Sequence, residues 1–204
     1  VSDSPDVRYE CEQQALRLAL QTDRRDRART AAERLFGMTI PQSELLPLAE
    51  LMLKIDMADQ AEALLLRAAS NSQRDVRAVR LLMDIQLNRD QLDAAGQTAR
   101  ILIDSIESRA VQTASTMVQY PTTNSGRTGM LVTPSTRSLT PNELEAYRNA
   151  AFEVLIKSGK LKELIDEVEA KLKASPSSVA LIARLIAYHT AARNQTRIDE
   201  LILM

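Results

Sequence analysis

The sequence has almost none of the residues that build disulfides, metal sites or aromatic cores. It contains no tryptophan, one histidine and one cysteine among 204 residues, and aromatic residues make up 3% of the chain. The lone Cys11 excludes an intramolecular disulfide, and one histidine with one cysteine cannot form a zinc site of the usual kind. A core so poor in large rings must be filled by leucine, isoleucine, alanine and methionine. Because these are mostly helix formers, we expect an all-α protein.

An excess of charge of one sign is also missing. The chain has 26 basic and 27 acidic residues, which leaves no large electrostatic footprint for nucleic acid or an anionic membrane. No apolar run approaches the roughly 18 residues that a membrane-spanning helix needs, and the first residues lack the pattern of a secretory signal. We therefore expect a soluble chain that binds no nucleic acid and does not insert into a membrane.

The two ends of the sequence indicate a fragment of a longer protein. The chain begins with Val1 instead of methionine, and residues 198–204 are still apolar and helix-like without a stop signal. A targeting segment outside this sequence would decide the compartment, so the compartment stays open, with the cytoplasm as the default expectation.

Glycine and proline are few, and they mark the ends of helices. Pro5, Pro141 and Pro176 each follow a serine or threonine, which is typical of an N-cap residue followed by proline at the first helical position. Thr140 and Glu143 also predict a capping box. Together with apolar periodicity, these signals predict helices over residues 5–21, 24–36, 41–55, 58–70, 73–88, 90–108, 141–158, 160–174, 176–192 and 195–204.

An apolar pattern recurs along the chain at a fixed spacing. Ala61, Leu65 and Ala68 of one predicted helix are matched, each at the same distance further along, by Ala95, Ala99 and Leu102. The helix before each set repeats in the same way, with Leu45, Leu48 and Ala49 matched by Val79, Leu82 and Met83. Helix pairs that cannot bury their apolar faces alone, and that recur with a period of about 34 residues, indicate a solenoid.

This pattern resembles the tetratricopeptide repeat (TPR) family, whose unit is a helix–turn–helix of about 34 residues. The stretches 42–75 and 76–109 match it best, 145–178 and 179–204 match it in part, and the first hairpin fits at an offset of one residue. Among the departures, Leu164 stands where the family has a small residue. The resemblance implies antiparallel helix pairs in a right-handed superhelix, an α-α solenoid.

The stretch 110–140 interrupts the repeats. It is rich in serine and threonine, and no acidic residue lies between Glu107 and Glu143. We predict a long irregular insert with a short helix near 110–119, or a degenerate repeat, and the sequence leaves both open. The predicted organisation is helical hairpins over 1–109, the insert over 110–140, and further hairpins, truncated at their end, over 141–204.

No group of residues in the sequence predicts catalysis. His189 falls at a repeat position that packs between helices, so we interpret it as a core residue. The stretch 126–129 has two glycines but lacks the lysine that completes a phosphate-binding loop. The carboxylates over 163–169 share a helix with lysines, as on a solvated face with ion pairs. We therefore expect that the protein is not an enzyme and that it binds neither a cofactor nor a metal ion.

Five arginines cluster near the start of the chain: Arg24, Arg25, Arg27, Arg29 and Arg34. They are compatible with a patch that binds an anion or nucleic acid. Because Asp23, Asp26 and Glu33 are interleaved with them, we favour an exposed helix whose charges pair with one another.

The TPR resemblance also implies where a partner binds. The first helices of the repeats line a concave groove that holds an extended peptide or a helix. The polar residues that this places at the groove are Lys54, Arg77, Arg80, Asp84, Asn88, Asn149, Glu153 and Lys157. Arg77 and Arg80 share one face of a helix, with Lys54 in the repeat before them, and predict a site for an acidic peptide.

The predicted function is therefore a non-catalytic scaffold for protein–protein interaction or assembly. Two alternatives stay open. In the first, the chain is the regulatory helical portion of an enzyme whose catalytic domain lies outside this sequence. In the second, it is a passive spacer within a longer solenoid. The sequence determines neither the identity of the partner nor the oligomeric state.

Overall fold

The computed structural model describes residues 5–70, 75–116 and 139–203, and within these ranges it is all-helical. The helices are α1 Pro5–Gln21, α2 Arg25–Phe36, α3 Leu45–Leu53, α4 Ala58–Ser70, α5 Val76–Asn88, α6 Leu92–Thr116, α7 Pro141–Lys157, α8 Lys160–Ala174, α9 Val179–Ala191 and α10 Gln195–Ile202. A 3₁₀ turn, Gln42–Glu44, leads into α3. In these ranges, no helix has the length and hydrophobicity that crossing a membrane requires.

The chain divides after Ile85 into two compact units. In the first unit α1 packs on α2, and α3 packs on α4. In the second unit α6 packs on α7, α8 packs on α7 and α9, and α9 contacts both α7 and α10. The boundary between the two units falls inside α5. Residues 117–138 of the predicted insert lie outside the described residues.

The predicted apolar stripe forms the core of each unit. Ala61 and Ala95, which anchor the repeat spacing, are both fully buried. Small side chains allow two helix axes to approach to about 8–10 Å, so alanine suits a crossing point. The other residues of the stripe are buried as well: Leu45, Leu48, Ala49, Leu65, Ala68, Val79, Leu82, Met83, Ala99 and Leu102.

The turn between paired helices takes the same form at four places. Each has one residue with φ between 51° and 59°, namely Asp23, Asp56, Asp90 and Arg193. The amide of the following residue donates to the carbonyl five positions earlier, as from Met57 to Met52 at 3.0 Å. This is the hydrogen bond of a Schellman-type helix end. A fifth turn uses Gly159, with φ 71°.

These five turn positions follow the same period as the apolar stripe. Neighbouring turns lie about 34 residues apart, which is the length of one TPR unit. The exception is the step from Asp90 to Gly159, which spans about twice that distance and contains the predicted insert. The backbone therefore repeats in register with the side chains of the core.

The predicted start of α7 is confirmed, whereas that of α9 is wrong. The Thr140 hydroxyl accepts from the Glu143 amide at 3.2 Å, and the Glu143 carboxylate accepts from the Thr140 amide at 2.7 Å. Helix α9, in contrast, begins at Val179 instead of Pro176. The chain first makes a turn in which the Ser178 amide donates to the Ser175 carbonyl at 3.1 Å, so Pro176 lies ahead of the helix.

Helix α6 is longer than predicted, since it runs for 25 residues to Thr116 instead of ending at 108. Two serine hydroxyls in its second half are satisfied within the helix. The Ser105 and Ser108 hydroxyls donate to carbonyls one turn earlier, each at 2.7 Å. Serine side chains that bond in this way remain compatible with a helix. The first residues of the predicted insert therefore continue α6.

A glycine allows α6 to approach the turn between α7 and α8. A Cβ atom on Gly96 would lie 2.6 Å from the Ser158 Oγ and 2.8 Å from the Lys160 Cδ. Real Cβ atoms do not come so close to their neighbours, so this packing depends on the missing side chain. The repeat pattern does not predict it.

The crossing at Ala61 can be tested by overpacking it. Ala61→Leu should lower the free energy of unfolding by about 1–3 kcal/mol, because the added methylenes have no space between the two helices. The control is Ala63→Leu on the same helix, where the side chain is partly exposed and the expected change is about 0.5 kcal/mol or less. Urea unfolding followed by circular dichroism measures both. Equal losses would contradict the assignment of Ala61 to a crossing.

Candidate functional site

The two arginines of the predicted acidic-peptide site already hold carboxylates of their own unit. Arg77 Nη2 lies 3.0 Å from Asp75 Oδ2, and the Arg77 amide also donates to Asp75 at 2.9 Å. Arg80 forms an ion pair with Asp84 one turn further along α5. A carboxylate from a partner would have to compete with these two aspartates. Asp84, predicted to face the groove, is thus part of an intramolecular pair.

Lys54 is exposed and follows the last residue of α3. It lines a small cavity of about 190 Å³ together with Asp23 and Arg25 from the turn after α1. The surroundings that the structure assigns to Lys54 are therefore charged residues of the first hairpin.

The predicted groove residues of the second unit are free of such pairing. Asn149, Glu153 and Lys157 follow one another at four-residue spacing along α7, and all three are exposed. Within the parts of the chain described here, their side chains form no hydrogen bond or ion pair. Ile156, which is 50% exposed, lies beside them. Asn88, at the end of α5, is also exposed.

A half-buried ionic network ties α6 to α9 in the second unit. Arg184 Nη2 lies 3.0 Å from Asp104 Oδ1, and the same group forms a second ion pair with Glu107. The Tyr188 hydroxyl donates to Glu107 at 3.2 Å. The Tyr188 ring packs edge-on against Phe152 of α7, with 5.7 Å between ring centroids.

Burial raises the pKa of Tyr188, and the negative charge of Glu107 raises it further. The hydroxyl therefore remains protonated and continues to donate to the carboxylate. The network ties α6 to α9, and the Tyr188 ring adds a contact with α7. The repeat pattern gave no signal of it, because its members come from helices far apart in sequence.

His189 is buried, as predicted for a core position. Its Nε2 lies 3.6 Å from Glu169 Oε1, and the Arg197 Nε lies 3.0 Å from the same oxygen. The arginine therefore shares this carboxylate with the histidine. No set of three or more metal-ligating side chains comes together within the described ranges.

The arginine cluster of the first hairpin pairs less than its sequence suggests. Arg25 lies 3.7 Å from Asp23, and Arg34 reaches across to α1, where it lies 3.2 Å from Glu12. Arg24 and Arg27 form no ion pair with any described residue. Arg29 forms none either, so the prediction of internal pairing is wrong for these three arginines.

A groove of about 610 Å³ lies between α1 and α2 beside these arginines. Its apolar lining includes Leu18, which is 61% exposed. Ala15, which the offset repeat placed in the packed stripe, is exposed and lines the groove instead. The remaining lining residues are Glu12, Ala19, Thr22, Arg24, Asp26, Arg27, Thr30, Ala31 and Arg34. An off-stripe leucine is the sequence signal that would have indicated this surface.

Comparisons with protein-family models, curated proteins and solved structures found no match to this chain. The TPR resemblance therefore rests on the repeated residues and on the recurring turns.

Removing Arg184 should destabilise the second unit more than removing an exposed arginine of α6. Arg184→Met leaves Asp104 and Glu107 half-buried without their cation, and should cost about 1–3 kcal/mol of unfolding free energy. Arg100→Met is the matched control, since Arg100 pairs with Glu167 where both side chains are more than a third exposed, and should cost about 1 kcal/mol or less. Thermal and urea unfolding compare the variants. If Arg100→Met lowered the free energy of unfolding as much as Arg184→Met does, the network would stabilise the protein no more than a surface ion pair.

Proposed function

We propose that this chain is a TPR-like array of helical hairpins, in a right-handed superhelix, that binds a protein partner or assembles proteins without catalysing a reaction. The observation that carries the proposal is the recurring turn, in which a left-handed residue closes each of five helix pairs. Neighbouring turns are spaced by about 34 residues, or by about twice that across the insert, and this is the period of a TPR unit. The turn supports the repeat independently, because it is a feature of the backbone and not of the apolar stripe.

The exposed face of α7 is the best-supported part of the groove. Asn149, Glu153 and Lys157 offer an amide, an acid and a base at four-residue spacing, and no described residue occupies them. A partner that binds these groups displaces only water. At Arg77 and Arg80 it must instead displace Asp75 and Asp84, which lowers the expected gain in binding energy. We therefore place the main contact of the partner on α7.

The α7 surface can be tested by site-specific photocrosslinking in cells that make the protein. A photoreactive amino acid replaces Glu153 on α7 in one variant and Glu163 on α8, which is also exposed, in the control variant. If the first helices line the binding groove, a discrete crosslinked partner should appear with the residue at 153 and be absent with the residue at 163. Both variants should melt at the temperature of the unmodified protein, because exposed substitutions change stability little.

Two results would count against the proposal. Identical crosslinks at both positions would indicate nonspecific contact, and the absence of a crosslink at 153 would favour a passive spacer.

A further inference from the structure

We propose that the groove between α1 and α2 is a second docking surface, separate from the groove of the first helices, and that it binds an acidic amphipathic helix of a protein partner. The argument depends on the floor of the groove, on the charges at its rim and on its length. It does not depend on the face of α7.

Four apolar side chains line the groove and form what we call its floor. Leu18 of α1 has 61% of its surface exposed, and Ala15, Ala19 and Ala31 line the groove with it. Alanines on two antiparallel helices let a third helix approach closely, with its side-chain ridge in the groove between them. An exposed leucine among such small residues is a contact point for an apolar partner side chain.

The rim of the groove supplies unpaired positive charge. Arg24 and Arg27 line it without a carboxylate partner among the described residues, and Arg34 stands at the other end, paired with Glu12. At 1.5 Å per residue, Arg24 to Arg34 spans about 15 Å along α2, which is the length of nearly three helical turns. A partner helix with leucines on one face and glutamates beside them would cover the floor and pair with both arginines.

Nucleic acid fits the same surface poorly. Glu12 and Asp26 line the groove beside its three arginines, which leaves too little net positive charge for a continuous phosphate backbone, whereas a helix needs only single glutamates opposite Arg24 and Arg27. The apolar floor has no aromatic ring on which a base would stack. Glutamates placed beside a leucine stripe satisfy both features of the groove, so the chemistry favours a protein helix.

The test uses the whole chain and a synthetic peptide of about 14 residues with leucines at helical spacing flanked by glutamates. Fluorescence anisotropy measures its Kd. The double variant Arg24→Glu with Arg27→Glu should weaken binding by about tenfold or more. Each attraction between an arginine and a glutamate of the peptide is replaced by a repulsion between two carboxylates. Leu18→Ser should weaken binding as well. The matched control is Arg8→Glu with Arg29→Glu, which makes the same charge change at exposed, unpaired arginines of the same two helices outside the groove, and should change Kd by about twofold or less.

Several outcomes would overturn this proposal. The two double variants could lose affinity equally, which would show nonspecific attraction, or a lysine-containing version of the peptide could bind as well as the glutamate version. Preference for a single-stranded oligonucleotide over the peptide would assign the surface to nucleic acid. Sedimentation that shows a dimer broken by Leu18→Ser would assign it to a second copy of this chain. Circular dichroism confirms that each variant is folded.

Discussion

The tight turn that closes each pair of helices is the constraint on which the rest of the structure depends. A single residue at positive φ reverses the chain, and the amide after it bonds back into the preceding helix, as at Asp56. An L-residue in this conformation costs roughly 1–2 kcal/mol, and aspartate is among the few that tolerate it. The apolar faces that the turn brings together offset this cost, since Ala61, Leu64 and Leu65 are fully buried.

Most of the fold was predictable from the sequence, because each helix carries its own apolar stripe and its own end signals. The failures have local causes. Serine and threonine suggested that the helix before the insert ends at 108, but α6 continues to Thr116, since these residues lower helix propensity without breaking a helix. Pro176 looked like a helix start, although a turn that ends at Ser178 precedes α9. The close approach at Gly96 involves side chains from a distant part of the sequence, which a repeat pattern does not encode.

The candidate sites were predictable only in part, since they depend on which charges meet. The pair of Arg80 with Asp84 follows from their four-residue spacing, and helix geometry alone predicts it. Arg24 and Arg27 form no ion pair with a described residue although Asp23 and Asp26 lie within four positions of both, so nearness in sequence does not predict which arginine is paired. The network of Arg184 with Asp104 and Glu107 joins helices that are remote in sequence, and only the folded chain brings them together. Leu18 is a leucine outside the apolar stripe and so a partial signal, but its exposure beside Arg24 and Arg27 is seen only in the folded hairpin.

The most direct test of the repeated turn is the effect of glycine at each left-handed position. Asp23, Asp56, Asp90 and Arg193 are changed to glycine one at a time, and urea denaturation gives the free energy of unfolding. Relief of the left-handed strain exceeds the entropy that glycine adds to the unfolded chain, so each change should stabilise the protein by about 0.5–1 kcal/mol. Asp26→Gly, inside α2, should destabilise it by a similar amount. If the four turn variants lose stability as Asp26→Gly does, the helix pairs do not close through a common turn and the repeat architecture is wrong.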